Sequence, residues 1–441
     1  MKQLLQLLAK TVCGTVFDGK TYIVGGFVRD TVMKKSSQDI DLVVEMPEGG
    51  IKLAIFLHQK MKTCKPVVYP KFGTAMVHLW GHNIEMVMTR KESYRQFSRK
   101  PDVLFGTLRE DIYRRDFTIN SLLMNIVNHK IIDTTGLAYQ DIADKIIRST
   151  SNPDIIFVED PLRMLRAIRF CVQLGFTIEP TTKQGIVRHA RQLTNISQER
   201  VRDEFNKMLL SPNPVLALQM LREFHLLDCF IPELSLRKNH PDDSGIDVWQ
   251  HTMQVVQRVP HTPVMVLAAL LRDTDKKTVS DTDYPEKSAK IAARILKRMT
   301  YSNKDQAIIT TLIRYQHCLR EAGADGLKLS DKEIRRLIVE LEELLEPLLL
   351  LIDANNNAEG NGNNQQVAGI QKRVKILREE ITELPIDGAS LMEHFQIESG
   401  TEVGRFLAEA KELWLENPAI TRSQLLVLLS LKKIKTEPVP E

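Results

Sequence analysis

The 441-residue sequence predicts an α+β protein, a strand-and-helix head followed by helices almost to the end. Two patterns carry that reading. Over residues 1–145, short β-like runs (Tyr22–Val24, Leu42–Val44, Ala75–Leu79, Ile84–Met88 and Ile131–Asp133) alternate with helix-capable segments, an α/β or α+β head by pattern alone. From Asp154 onward, apolar residues recur at three- and four-residue steps instead. The length suggests more than one domain.

The head is built around two stretches. Tyr22–Val24 is a short apolar run that ends in Gly25-Gly26, and the helix-capable Phe27–Asp30 follows. Nine residues after Asp30 comes Asp39-Ile40-Asp41, entering a second apolar run. Alternate residues of a strand share a face, so Asp39 and Asp41 stand together. Paired carboxylates beside a glycine turn that admits phosphate outline a metal-and-triphosphate site. Phe72–Leu79 and Asn83–Thr89 read as a hairpin, which brings Glu85 within reach as a third acid. An isolated D-x-D more often just begins a strand with solvated acids; beside Gly25, Gly26 and Arg29 the balance reverses.

Next, Arg115, Asp116 and Asn120 fall at helical spacing ahead of an apolar face. Arginine suits phosphate, while Asp and Asn suit ribose hydroxyls. The bland alternative is a charged helix start capped by Asp116. In Val158–Phe170, Asp160 and Pro161 suit a helix start, and Arg163, Arg166 and Arg169 recur every third residue in front of Leu162, Leu165 and Ile168. Acid and arginine on one rigid helix offer acceptor and donors for a base edge, although such a stripe is usually a solvated face.

Between Arg90 and Glu110 the chain is polar and basic, as in a mobile functional loop. Pro212 and Pro214 punctuate one boundary and residues 237–245 another, and 355–366 reads as a linker. No internal repeat is evident.

Composition narrows the class. Hydrophobic residues at 43% and charged residues at 26% are ordinary for a soluble globular protein. A net charge of +4 permits local nucleic-acid patches without demanding them. Five scattered cysteines without C-x-x-C spacing fit reduced thiols rather than a disulfide or zinc framework. Residues 1–10 read as a short amphipathic helix and not a signal peptide, and the run 346–352 is too short to span a bilayer. The expected location is cytoplasmic, with no membrane and no obligate protein partner.

Taken in order, G-G-x-V-R-D, D-x-D, R-R-D-F-T-x-N, E-D-P-x-R-x-L-R-A-x-R-F and Ile196–Leu209 resemble the class II tRNA nucleotidyltransferases, the CCA-adding enzymes, and the related bacterial poly(A) polymerases. The resemblance is dense over 20–235. It implies a polymerase-β-like head over 1–145, a helical neck with a nucleotide-selecting helix over 146–235, a body over 236–365 and a tRNA-contacting tail over 366–441. It further implies two Mg²⁺ on Asp39 and Asp41, and triphosphate contacts from Gly26, Arg29 and Arg115. Base selection falls to Asp160 and Arg163, assisted by Arg166 and Arg169. The implied activity is CCA addition to tRNA from CTP and ATP. The basic stretch 90–108 corresponds to the family's flexible loop, which argues against a CC-only enzyme.

The family's G-G-x-x-D segment departs here, as Asp133–Asp141 with the single Gly136, which puts its hinge flexibility in question. The body resembles an HD phosphohydrolase domain: His251, Asp273 and Asp353 stand at matching places, but Arg272 replaces the central histidine. A fixed cation there opposes metal binding, so a scaffold with lost hydrolase chemistry is expected. The alternatives are poly(A) addition by the same chemistry, an HD-domain phosphohydrolase, and a non-catalytic tRNA-binding protein.

Overall fold

A computed structural model describes residues 1–37, 39–93, 102–235, 247–275, 283–319, 322–323, 326–358 and 364–436. The chain forms two compact units, residues 1–235 and 236–441. It is α+β, with a mixed sheet near the N-terminus and helices thereafter.

In the first unit, α1 (Lys2–Val12) precedes β1 (Thr21–Val24), α2 (Gly26–Val32), β2 (Ile40–Val44), α3 (Gly49–Met61), β3 (Val67–Tyr69), β4 (Thr74–Leu79) and β5 (His82–Met88). There follow β6 (Arg90–Ser93), β7 (Asp102–Phe105), α4 (Leu108–Tyr113), β8 (Leu123–Asn125), β9 (Ile131–Ile132), α5 (Ala138–Ala143) and β10 (Ile146–Ile147). The helical part of this unit holds α6 (Pro153–Glu159), α7 (Leu162–Leu174), β11 (Thr177–Ile178), α8 (Pro180–His189), α9 (Gln198–Leu209), α10 (Pro214–Glu223) and α11 (Pro232–Ser235).

Seven strands form one sheet in the order β3-β4-β5-β2-β1-β8-β9. Only the central β2–β5 pair is parallel. Alternation divides the sheet's faces. Ile40, Leu42, Val44, Ile84, Met86 and Met88 are buried on one, where α3 packs. The glycines of α3 make this close packing possible: a Cβ on Gly50 would lie 2.3 Å from the Met86 carbonyl oxygen, and one on Gly49 would lie 2.8 Å from Val44 Cβ. Asp41 and Glu85 belong to the opposite face.

Three expectations need correction. Arg115, Asp116 and Asn120 do not share a helix: α4 ends at Tyr113, a 3₁₀ turn spans Thr118–Asn120, and the chain enters strand β8. Asp116 accepts from the backbone of Phe117 and from Asn120 Nδ2, a local bonding pattern that competes with a continuing helix. The basic stretch 90–108 is not all loop, since β6 and β7 pair antiparallel at its ends; its middle, 94–101, lies outside the described residues. Nor is 355–366 simply a linker. Its first residues complete helix Leu345–Ala358, where Asn357 Nδ2 bonds back to the Asp353 carbonyl 2.8 Å away, and its last begin helix Asn364–Glu380; 359–363 lie outside the described residues. The 237–245 boundary also lies outside them.

The second unit comprises α12 (Val248–Arg258), α13 (Pro263–Leu271), α14 (Tyr284–Arg298), α15 (Asn303–Tyr315), α16 (Asp331–Leu341), α17 (Leu345–Ala358), α18 (Asn364–Glu380), α19 (Gly388–Phe395), α20 (Thr401–Glu416) and α21 (Arg422–Thr436). Helix α13 is buried from Met265 to Leu271, as a helix apolar all round must be. At its end Arg272 Nη2 lies 2.7 Å from both His251 Nε2 and Asp273 Oδ2, all three residues buried. Asn355, not Asp353, completes this cluster, with Oδ1 2.9 Å from His251 Nε2; Asp353 Oδ2 instead accepts from Asn357. His317 meets the Tyr284 hydroxyl at 2.9 Å and stacks edge-on against its ring. Among the described residues, no helix is long and apolar enough to cross a membrane.

Candidate active site

Gly25 turns the chain out of β1 with φ +70°, a left-handed conformation that glycine adopts without strain. That turn starts α2 close to β2, and a Cβ on Gly25 would lie 3.8 Å from Asp41 Oδ2. Asp41 is the register partner of Val24 on one side and of Glu85 on the other. Asp39 stands just before β2 on the same alternation. All three acids are exposed. Burial of part of the Asp41 carboxyl raises its pKa, Glu85 and Asp39 push it up further, and Arg115 partly opposes them.

Arginines fill the space behind. Arg29 is buried; its Nη1 donates to Asn120 Oδ1 at 2.9 Å, and its Nε and Nη2 donate to Asp30 Oδ1. Asn120 Nδ2 donates to Asp116 Oδ1, and Asp116 Oδ2 receives Arg166 Nε and Nη2 at 2.9 and 2.6 Å. Arg166 also lies 3.8 Å from Glu204 of α9, which pairs with Arg169 at 2.7 Å. The Arg29, Arg166 and Arg169 guanidinium carbons stand 5.5, 5.3 and 4.4 Å from the centroid of the Phe170 ring. Three arginines and their carboxylates (Asp30, Asp116 and Glu204) therefore surround one phenyl ring, where cation–π attraction adds to ion pairing. Burial alone would raise the Asp116 pKa, but Arg166, Asn120 and the Phe117 N–H outweigh it and hold the carboxyl below its ordinary value.

The remaining predicted residues are held differently. Arg115 Nη2 pairs with Asp111 at 2.8 Å, a buried carboxylate that Arg114 also grips. Arg163 is buried and ties α7 to its neighbours: Nη2 donates to the Arg114 carbonyl at 2.7 Å, and Nη1 donates to the Ile156 carbonyl at 3.2 Å. Asp160 accepts from the Leu162 N–H at 3.2 Å, capping α7, and its other oxygen meets Arg200 Nη2 at 3.1 Å. The stripe on α7 is thus no solvated face. Sequence reasoning missed Asp111 and Glu204 as the anchors of this lattice. The available signal was an acid followed by paired arginines in Asp111–Arg115, and the mixed acids and bases of the helix-patterned segment 196–209.

At the segment with a single glycine, Gly136 occupies the position that needs positive φ, at +70°. Asp133 organises the turn: Oδ1 accepts from the Thr135 and Gly136 N–H groups, and Oδ2 accepts from that of Ala138.

Among the described residues, no group of three or more His, Cys, Asp or Glu side chains is placed to hold a metal ion. Mg²⁺ does not require one, since it typically takes one or two carboxylates and completes its shell with water and substrate phosphate. Besides burial, the nearness of Glu85 and Asp39 raises the Asp41 pKa, and that part is what a divalent cation would relieve. The donor set therefore fits.

Comparison with known proteins gives the following likenesses. The family described as the poly A polymerase head domain matches residues 21–148, and the probable RNA and SrmB-binding site of polymerase A matches 175–237. The CCA-adding enzyme of Anoxybacillus flavithermus is 38% identical over 224 residues, 50% of this chain and 53% of that one. Poly(A) polymerase I of Salmonella typhi is 32% identical over 240 residues, 52% and 50% respectively. The chain spans about half the length of these curated relatives. In fold it is similar to the Bacillus stearothermophilus CCA-adding enzyme solved in complex with CTP, at TM-score 0.73 and 21% identity over 98% of each chain. Through residues 21–148 and 175–237 the chain matches the head domain and the RNA-binding segment of the poly A polymerase family, and over about half its length it is similar to CCA-adding enzymes and to a poly(A) polymerase.

Proposed function

We propose that this protein is a tRNA nucleotidyltransferase that adds CCA to tRNA 3′ ends from CTP and ATP without a nucleic-acid template. The observation that carries the reading is the Asp41–Glu85 register pair, one strand from the Gly25 turn. In this reading the terminal ribose hydroxyl attacks the nucleotide α-phosphate, a new P–O bond forms, the bond to the β-phosphate oxygen breaks, and pyrophosphate leaves with the hydroxyl proton lost. Asp39 and Asp41 would hold Mg²⁺, with Glu85 assisting; when bound, it would supply charge neutralisation at the phosphates and a lowered hydroxyl pKa. Gly26, at the start of α2, lets the backbone approach the triphosphate, which Arg29 and Arg115 steady. Asp116 and Asn120 set the Arg29 guanidinium, with ribose contact as their further role. Asp160 and Arg163 choose C or A through the base edge, with Arg166 and Arg169 held in place behind them. The basic stretch 90–108 favours completion with A.

The test is incorporation by the purified protein on a tRNA ending before CCA, with each nucleotide alone and with CTP and ATP together. Two C residues followed by one A are expected. A long tail from ATP alone would support poly(A) polymerase, the reading favoured by the Salmonella relative. No incorporation at all would sink both.

The second unit is proposed as an HD-like scaffold without hydrolase chemistry, supported by the Arg272 guanidinium seated against His251 and Asp273. Phosphodiesterase activity that survives Asp39→Ala/Asp41→Ala and disappears in Asp273→Ala would overturn it. Cytoplasmic location belongs to the same proposal.

A further inference from the structure

The hairpin that joins β4 to β5 turns through Trp80-Gly81, with Leu79 and His82 as its last register pair. Both turn residues have positive φ, +52° at Trp80 and +79° at Gly81, as a two-residue type I′ turn requires. Asn, Asp or Gly suits the first of those positions, and a bulky side chain there is strained. Trp80 is also 60% exposed, so no core packing offsets the strain. Strain of this kind is characteristic of ligand clamps and active sites.

Register sets the position of the ring. Met76 pairs with Glu85, which pairs with Asp41, so Met76 and His78 of β4 share the face of the acids. His78 and Asn83 form the next pair along that face, both exposed, with His78 Nδ1 2.9 Å from Asn83 Oδ1. Trp80 follows at the tip, roughly 13 Å beyond the Glu85 row at the rise of a strand. Cations gather at the same end of the sheet. Lys34 and Lys35 lie shortly before β2, and Lys65 shortly before β3, on the side of His78. Helix α3 starts against Val44 and packs along β2, β4 and β5, so its C-terminal turn brings Lys60 and Lys62 back to that end. These five lysines are exposed, and none forms an ion pair with a described residue.

We infer that Trp80 is a stacking platform for an unpaired base of the RNA, a few nucleotides upstream of the reacting 3′ end. This rests on RNA being the substrate, as proposed above. Every base has a π-face, so an exposed indole accepts any of them, and cations beside a ring are the combination that binds single strands. The lysines attract the backbone, and the exposed face between Trp80 and Glu85 gives the strand a path to the acids. A membrane is the poorer occupant, since insertion takes an apolar face and the exposed side chains beside the ring are His78, Asn83 and lysines.

The experiment compares the full-length protein with its Trp80→Asn and Trp80→Phe variants. Asparagine suits the turn, so the melting temperature of Trp80→Asn should equal or exceed that of wild type, which separates lost stacking from misfolding. Its KM for tRNA should rise roughly tenfold, the scale of one base–aromatic stack, while kcat at saturating tRNA and the KM for CTP stay within about twofold. Phenylalanine keeps a ring and should recover most of the affinity. The loss should be greatest on tRNA already ending in CC, whose longer unpaired end reaches past the acids. Stacking is not ionic, so the slope of log K against log salt should match wild type. Fluorescence reports on the ring directly. Of the three tryptophans Trp414 is buried and Trp249 half-buried, so quenching on addition of tRNA should shrink in Trp80→Phe. An unchanged KM in Trp80→Asn on every tRNA, or quenching of undiminished size in Trp80→Phe, overturns the inference while leaving CCA addition intact. Loss of binding to phosphatidylserine vesicles in Trp80→Asn, with its KM for tRNA unchanged, also overturns it. If the wild-type protein adds no nucleotide to tRNA, the functional proposal fails; quenching by an unpaired RNA oligonucleotide that disappears in Trp80→Phe would still uphold the stacking site.

Discussion

Asp39, Asp41 and Glu85 stand exposed on an open sheet face, crowding one another, whereas Arg163, Arg166 and Arg169 on α7 already hold carbonyls or carboxylates. The same first unit thus contains a site with unanswered charge beside a lattice whose charges are nearly all answered. The difference is physical. In the proposed reading, acids that take a cation must remain available, and they carry repulsion until it arrives. Arginines meant to present one fixed hydrogen-bonding pattern need counter-charges that hold them in place beforehand, so that little ordering is left to the moment of binding.

The largest expected effect tests the open half. Asp41→Asn should reduce nucleotide incorporation by about 10³-fold or more, the scale of losing a principal electrostatic contact to the transition state. Stability should move the other way. The Asp41 pKa is raised in the fold, so its ionisation opposes folding at neutral pH, and that cost fades as pH falls through its folded value. Thermal melts should show the variant equal to or above wild type at pH 7, with any gain shrinking under acid. A substantially lower melting temperature at pH 7 would mean that the carboxylate is a structural part.

Asp116→Asn tests the closed half. The substitution removes the counter-charge of Arg166 from a buried pair, and breaking such a pair costs about 3–5 kcal/mol. The sign is opposite to that of Asp41. The folded pKa of Asp116 is lowered, so its contribution is complete above its ordinary value of 3.8 and is lost as pH falls through the folded value. Denaturant unfolding at pH 7 and at pH 3 should show the gap between wild type and variant closing on the acid side. A gap that stays constant would remove the ion pair from the account.

How much of this was legible follows from the same contrast. The acids of the sheet are recognisable because period-two alternation places Asp39 with Asp41, and the hairpin reading brings Glu85 across; each step is local or is set by strand pairing. The lattice hides its logic. Arg29 meets Asn120 across 91 positions and Arg166 meets Asp116 across 50, distances over which no periodicity speaks. A stripe of arginines every third residue looks the same whether it faces water or acids, and Glu204 lies on α9, another helix. Helical spacing also misled at Asp116 and Asn120, where side-chain bonds to the local backbone and to each other displaced the expected helix. The single glycine of 133–141 stands at the one residue of that turn with positive φ, and Asp133 bonds the rest.

Glu204→Gln sharpens the comparison on the far side of the lattice. It keeps the shape but removes the charge that Arg166 and Arg169 share, at an expected cost of about 3 kcal/mol, the scale of breaking a buried ion pair. With both arginines less constrained, the ratio of kcat/KM for CTP over ATP at the first addition should drop several-fold. Incorporation of C at saturating CTP should fall much less than in Asp41→Asn. An unchanged ratio at reduced stability would make Glu204 a packing residue only.

The smallest change is Arg163→Lys, which separates anchoring from charge. Arg163 reaches two carbonyls and Glu159 with a forked, planar group, and a lysine keeps the charge but loses the fork. About 1 kcal/mol of stability should be lost, the net worth of one or two hydrogen bonds, because an ammonium still satisfies one acceptor. Selectivity should suffer more than stability. A base edge is read by donors at fixed separation, and a single rotating ammonium cannot reproduce a bidentate pattern. Misincorporation at the first two positions, scored as A added in place of C when both nucleotides are present, should therefore rise by about tenfold or more, the equivalent of 1–2 kcal/mol of discrimination. If the Arg163→Lys variant preserved fidelity while losing stability, Arg163 would belong with Arg114 among the residues that hold α7 and α4 together, and the choice of base would rest on Asp160 and the arginines behind it.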